Sequence, residues 1–269
     1  MIHETHTISI EGYEAELVTY VIENSEEMDM NRQRPAILVC PGGGYAMTSD
    51  REAEPIALKF MSDGFQVFVL RYSVAPARYP IALCQLAQAM QLIRQQSEAW
   101  HVDKEKIIVA GFSAGGHLAA HLGVAWQDEI IQKHVDGQAE EWKPNGLMLA
   151  YPVLSSGEYG HQDSFKNLLG ENYGLKDQFS LETLVTTDTP PTFLWHTGED
   201  GLVPSENSLL FALALRRNQV PFELHHFPKG GHGLSLGTEE TKVHGEYGGE
   251  ESIVIWPELF KDWVKYTIL

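Results

Sequence analysis

Apolar positions along the chain change period repeatedly, and each change marks an element. Residues 5–10 and 14–22 alternate loosely through Ile8, Ile10, Leu17, Val18, Tyr20, Val21 and Ile22, with Glu11-Gly12 between them. That period-two pattern predicts two antiparallel strands. A polar, acidic loop follows over 23–34. Residues 36–40, Ala-Ile-Leu-Val-Cys, are apolar without a break, as in strands buried on both faces. Ser49-Asp50-Arg51-Glu52 has the form of a capping box for a helix through Ile56, Leu58, Phe60 and Met61 to Gly64. Pro55 offers an alternative start for its regular part. Residues 65–70 are the next buried strand. From 80 to about 100, Leu83, Leu86, Ala87, Met90 and Ile93 recur at helical spacing. A strand over 106–112, a helix over 114–126, a polar stretch over 127–145 and a strand over 146–151 come next. The chain closes with strand 192–196, helix 204–218, strand 221–227 and an amphipathic helix from 257 to about 266.

Regular alternation of strand and helix predicts an α/β fold: a mostly parallel central sheet with helices on both faces. Residues 152–191 interrupt it. They are rich in Ser, Gly, Asn, Asp and Tyr, with one helical patch near 164–169. Such a stretch reads as a small cap inserted over the sheet edge, which leaves one α/β domain over 1–269.

Charge narrows the choice of partners. Nineteen Lys and Arg against 37 Asp and Glu leave a net charge of −18, a surface that repels phosphate backbones and anionic bilayers. Nucleic acid and membrane are therefore not expected as partners, and a homo-oligomer is neither required nor forbidden. The two cysteines, Cys40 and Cys84, lie in apolar patterns and read as buried hydrophobes, with no disulfide framework or metal spacing. The N-terminus lacks a basic region followed by an apolar core, and no run of about 18 apolar residues occurs, so a cytoplasmic protein is expected.

The chemistry centres on Gly111-Phe112-Ser113-Ala114-Gly115, where a β-branched apolar run turns sharply into small residues suited to a buried helix. In a G-x-S-x-G elbow the serine is strained and exposed at the apex, and its neighbours must be small. A serine hydroxyl needs a base within hydrogen-bond reach and a group to orient that base. In a parallel sheet both come from loops at the carboxyl ends of strands.

Asp200 follows the strand at 192–196, and His232 follows the last strand within Gly230-Gly231-His232-Gly233. The order Ser113, Asp200, His232 is the one this arrangement requires. Of the 12 histidines, His225 and His226 sit on a strand and His196 lies inside one. His117 and His121 have a metal-ligand spacing, but Leu118 stands where a zinc-protease helix carries Glu. Asp188 lies at the wrong end of its strand, while Glu199 stays open beside Asp200. Pro41-Gly42-Gly43-Gly44-Tyr45 follows a buried strand, so the N–H groups of Gly43 and Gly44 can join that of Ala114 in an oxyanion hole. It lacks the Lys-Ser/Thr and the Gly spacing of nucleotide loops.

These pieces together resemble the α/β-hydrolases. The match is to the esterase branch that includes hormone-sensitive-lipase-like and bacterial acetyl-xylan-esterase-like proteins. The resemblance rests on Pro41 to Tyr45, Val102-Asp103, Lys106 to Ala119, Tyr151-Pro152, Pro190 to Asp200, Val203-Pro204 and Gly231-His232-Gly233. Larger relatives carry His before the glycines where this chain has Pro41, which points to the smaller branch of sugar-ester hydrolases. The resemblance implies a Ser–Asp–His triad and ester hydrolysis without metal or organic cofactor. Tyr45 and Tyr151, on loops near the serine, are expected to line a small acyl pocket suited to acetyl esters of sugars. An aminopeptidase or amidase on the same fold, and a ligand-binding relative without turnover, are the alternatives.

Overall fold

The computed structural model describes residues 1–243 and 249–269. Among these, eight strands join one sheet: β1 (Thr5–Ile10), β2 (Tyr13–Tyr20), β3 (Arg34–Cys40), β4 (Gln66–Arg71), β5 (Val102–Phe112), β6 (Gly146–Ala150), β7 (Thr192–Thr197) and β8 (Phe222–Phe227). Their spatial order is β1-β2-β4-β3-β5-β6-β7-β8. The β1/β2 and β2/β4 pairs are antiparallel and all others are parallel, so the catalytic candidates share one sheet end. This is the α/β-hydrolase fold.

Uninterrupted apolar runs are explained by helices on both faces. Helices α1 (Glu54–Ser62), α2 (Ile81–Gln95), α3 (Ala114–Ala125), α4 (Glu129–Gln132), α5 (Gln162–Leu169), α6 (Glu206–Arg217) and α7 (Trp256–Thr267) divide between two apolar clusters. One joins Leu83, Leu86 and Met90 of α2, Leu118 and Leu122 of α3 and Phe211 of α6 to Leu38, Leu147 and Leu194 of the sheet. The other joins Ile56 and Phe60 of α1 and Trp256, Phe260 and Val264 of α7 to Ile37, Val39, Ile108 and Phe193. Leu38 and its neighbours Ile37 and Val39 thus point to opposite faces, as strand geometry demands.

Four local readings need correction. The stretch Ser49–Glu52 is not a capping box: Asp50–Glu52 is a 3-10 turn, the Ser49 side chain caps nothing, and α1 begins at Glu54 with Pro55 in its first turn. Strand β5 begins at Val102, because a register shift lets the charged Lys104 and Glu105 bulge outward. The polar stretch at 127–145 holds α4 and a 3-10 turn at Ala139–Glu141. It is anchored by Trp142, which is fully buried with its indole N–H donating to the Trp126 carbonyl at 2.7 Å. Beyond Gly170 the insertion continues in 3-10 turns, Gly170–Phe179 and Leu181–Thr183.

The insertion lies across the carboxyl ends of the strands. Its helix α5 buries Phe165, Leu168 and Leu169, and Asn167 Nδ2 donates to the Gly44 carbonyl at 2.9 Å. No helix among the described residues is long and apolar enough to cross a membrane.

Candidate active site

Ser113 stands between β5 and α3 with φ 54° and ψ −118°. A non-glycine residue there carries about 1–3 kcal/mol of strain and persists only where its surroundings hold it. Here they do: the Ser113 N–H donates to Ala150 O at 3.0 Å, and its carbonyl accepts from Val153 at 3.0 Å and His117 at 3.2 Å. A Cβ on Gly111 would strike the Gly115 carbonyl, and one on Gly115 the carbonyls of Cys40 and Pro41. The two glycines are what allow β5 and α3 to meet so closely.

The structure brings the three candidates together. Ser113 Oγ lies 2.7 Å from His232 Nε2, and His232 Nδ1 lies 2.7 Å from Asp200 Oδ2. Glu199, adjacent to Asp200, instead accepts from the Gly230 N–H at 3.0 Å. Asp200 Oδ1 accepts main-chain N–H groups of Leu202 at 3.1 Å and Val203 at 2.9 Å, in the turn beyond β7. Burial alone would raise its carboxyl pKa. Hydrogen bonds from His196 and His232 and the Val203 N–H overcome that and hold it well below the ordinary carboxylate range.

His196 is a participant that sequence reasoning sets aside. Its Nε2 lies 2.8 Å from the Val203 carbonyl and 3.2 Å from Asp200 Oδ2. Both partners accept, so Nε2 carries the proton; Nδ1 meets Ser208 Oγ at 2.9 Å. A position at the end of a strand places this ring beside the acid, a relation visible only once β7 and its loop are folded together.

Gly43, Gly44, Ser113 and His232 border a cavity of about 430 Å³, with Ala46, Met47, His161, Asn167 and Leu202 around them. The N–H groups of Gly43, Gly44 and Ala114 donate to no main-chain or side-chain acceptor among the described residues, while the Gly42 N–H is taken by Glu52 Oε2 at 2.7 Å. His161, from the insertion, bonds Ser164 Oγ through Nδ1 at 2.8 Å. Burial, and then the nearby His232, holds its pKa below the ordinary imidazole value.

Neither tyrosine lines this cavity, which corrects the pocket assigned to Tyr45 and Tyr151. Tyr45, at φ 56°, turns its ring under the loop to bond His117 Nδ1 at 3.0 Å. His117 Nε2 faces the Phe179 carbonyl at 3.2 Å, so that ring is a buried neutral link. Burial and the neighbouring His121 bring its pKa down to about 3. Tyr151, at φ 37°, is fully buried with its hydroxyl donating to Glu52 Oε1 at 2.7 Å. Its ring meets the His232 imidazole edge-on, with centroids 5.1 Å apart. Burial, with Glu52 beside it, pushes the phenol well above its ordinary value.

The BD-FAE family model matches residues 22–215, a span that holds the glycine loop, the elbow and Asp200. The protein belongs to the BD-FAE family. Among relatives of this BD-FAE protein is the endo-1,4-beta-xylanase B of Butyrivibrio fibrisolvens, 38% identical over 82% of the chain and 35% of the relative. The chain thus spans about a third of that protein's length. The solved acetyl ester-xyloside bifunctional hydrolase of Caldicellulosiruptor lactoaceticus is 40% identical, with a TM-score of 0.81 over 94% of this chain and 88% of the other. Carboxylesterase Cest-2923 of Lactobacillus plantarum is 30% identical, with a TM-score of 0.86 over 99% and 98%. These likenesses agree with the acetyl-xylan-esterase-like branch of α/β-hydrolases that the motifs of the BD-FAE chain resemble.

Proposed function

We propose that the chain hydrolyses small carboxylic esters by two-step acyl transfer, with Ser113 as nucleophile, His232 as base and Asp200 as its orienter. The observation that carries this reading is the unbroken run of two 2.7 Å hydrogen bonds from Ser113 Oγ through His232 to Asp200, beside the cavity. Asp200 accepts from Nδ1–H, which leaves the Nε2 lone pair facing the serine hydroxyl. His232 Nε2 therefore takes the Ser113 proton as Oγ attacks the ester carbonyl. The N–H groups of Gly43, Gly44 and Ala114 bind the oxygen that becomes negative. His232 returns the proton to the departing alcohol, and water repeats the cycle on the acyl-enzyme to release the acid and restore Ser113.

Short acyl groups, acetyl above all, carried on sugars are the substrate class we favour. The modest cavity and the acetyl-ester and xyloside chemistry in the relative's name support it. Hydrolysis of p-nitrophenyl acetate by wild type and Ser113→Ala tests the nucleophile: turnover should vanish, and equal rates would sink it. A panel of acyl lengths, acetylated xylo-oligosaccharides and aminoacyl amides tests the substrate. Long-chain esters or amides outrunning acetate would overturn the small-ester reading.

A further inference from the structure

Glu52 sits beneath the glycine loop, 4% exposed, and among the described residues it faces no Lys or Arg within ion-pair distance. Both of its oxygens are nevertheless occupied. Oε2 accepts from Gly42 N–H and Oε1 from Tyr151 O–H, each at 2.7 Å. The direction of the second bond is fixed by a third. Ser235 N–H donates to the Tyr151 oxygen at 3.0 Å, so the phenol proton must point to Glu52.

Ser235 lies three residues beyond His232, and its side chain bonds the Arg51 carbonyl at 2.6 Å beside Glu52. Its own carbonyl is held by Trp256 Nε1 at 2.9 Å. A closed ring of bonds thus joins the glycine loop, the end of β6 and the loop that carries His232.

We infer that Glu52 is a positioning residue that sets the oxyanion loop and the His232 ring in one register, acting through Gly42 and Tyr151. By capturing the Gly42 N–H, it orients the peptide chain immediately before Gly43 and Gly44, which border the cavity and whose N–H groups have no acceptor among the described residues. Through Tyr151 it fixes the ring that packs edge-on against the imidazole. Neutral donors on both oxygens suit such a brace, because each bond holds one loop by direction. The inference rests on the Ser113–His232–Asp200 reading and deepens it.

Glu52→Gln cannot accept at both ends: its amide nitrogen either confronts the Gly42 N–H or turns to the Tyr151 oxygen and leaves the phenol proton without its acceptor. Tyr151→Phe removes the link to the histidine side alone and leaves the Ser235 N–H without its acceptor. For Glu52→Gln on p-nitrophenyl acetate, we expect kcat to fall about 10- to 100-fold, short of the loss of a whole oxyanion donor. KM should stay within about threefold. Binding of an alkylboronic acid, whose serine adduct mimics the tetrahedral intermediate, should weaken by the same factor as kcat/KM. Tyr151→Phe should lose part of this, and the double variant should be no worse than Glu52→Gln, because the two act as one unit.

Wild-type kcat and boronate affinity in the folded fraction of either variant, with only the melting temperature lowered, would make the ring structural and overturn the inference. A loss confined to KM would do the same. Should Glu52→Gln fail to fold, Tyr151→Phe decides by the same two measurements. Ser113→Ala run alongside separates the failures. Activity surviving it removes the nucleophile reading and this inference with it, while an inactive Ser113→Ala beside a fully active Glu52→Gln removes this inference alone.

Discussion

Asp200 and Glu52 are two buried carboxyl groups at the same end of the sheet, 6% and 4% exposed, and their surroundings differ in kind. Asp200 faces two imidazoles and two peptide N–H groups. Glu52 faces a peptide N–H and a phenol. A carboxylate beside an imidazole can stabilise the positive charge that forms when the ring takes a proton. A carboxylate held by a peptide N–H and a phenol has no imidazole beside it, and its bonds fix the direction of the groups that make them. In the mechanism proposed above, one end of the candidate site serves proton transfer and the other shape.

Asp200→Asn gives the widest separation of the two roles. The amide removes the charge and the fixed tautomer of His232, and kcat should fall about 10³- to 10⁴-fold, well beyond Glu52→Gln. Rates for the two variants within a factor of three would erase the distinction. The same substitution tests the depressed Asp200 pKa. A carboxyl whose folded pKa lies below its unfolded value contributes stability above the unfolded value of about 3.9 and loses it as pH falls toward the folded one. Urea unfolding should therefore show wild type ahead of Asp200→Asn at pH 7, with the gap narrowing below about pH 4. A constant gap would show that the carboxyl is not held low.

A smaller effect is expected from His196→Leu, which removes one of four donors to Asp200 and leaves the Val203 carbonyl without its partner. A rate loss of about threefold to tenfold should accompany a stability loss of about 1–3 kcal/mol, read by steady-state kinetics and chemical denaturation. Least of all, Met47→Ala and Leu202→Ala should change KM a few-fold, about the worth of one to two buried methylene contacts, and more for butyrate than for acetate. Met47 and Leu202 are both more than half exposed at the cavity rim, so a larger effect on acetate would mean that they close over the bound ester.

How far the sequence can be read follows the range of the interactions involved. Strands β3 to β7 and helices α1 to α3 are legible because apolar periodicity reports which face is buried, and both faces of this sheet are covered. The elbow is legible because a sharp strand–helix turn demands glycines at fixed offsets. His232 stands out by its loop position and glycine flanks. Glu52 is misread because Ser-x-x-Glu before an apolar run satisfies a local rule, and nothing local reveals that its side chain is drawn ten residues back to Gly42. Tyr151 is misread for a related cause. A large aromatic after a strand can line a cavity or brace its floor, and the choice depends on Ser235, 84 residues away in sequence. His196 is set aside for lying in a strand, yet the end of a strand is where a loop folds back.

Strand β6 contributes none of the three triad candidates, and that gives it a distinct part. Ser113 follows β5 and Asp200 follows β7, so two inter-strand steps of about 4.7–4.9 Å separate the strands that carry them. Two short hydrogen bonds and one imidazole bridge that gap, with the ring delivered from beyond β8 at the sheet's far side. The width of one intervening strand is thus the gauge of the relay. Tyr151, one residue past β6, fills the space under the bridge. In a sheet of this order an inserted strand between β5 and β7 would leave the imidazole too short to reach, and a deleted one would leave it no room.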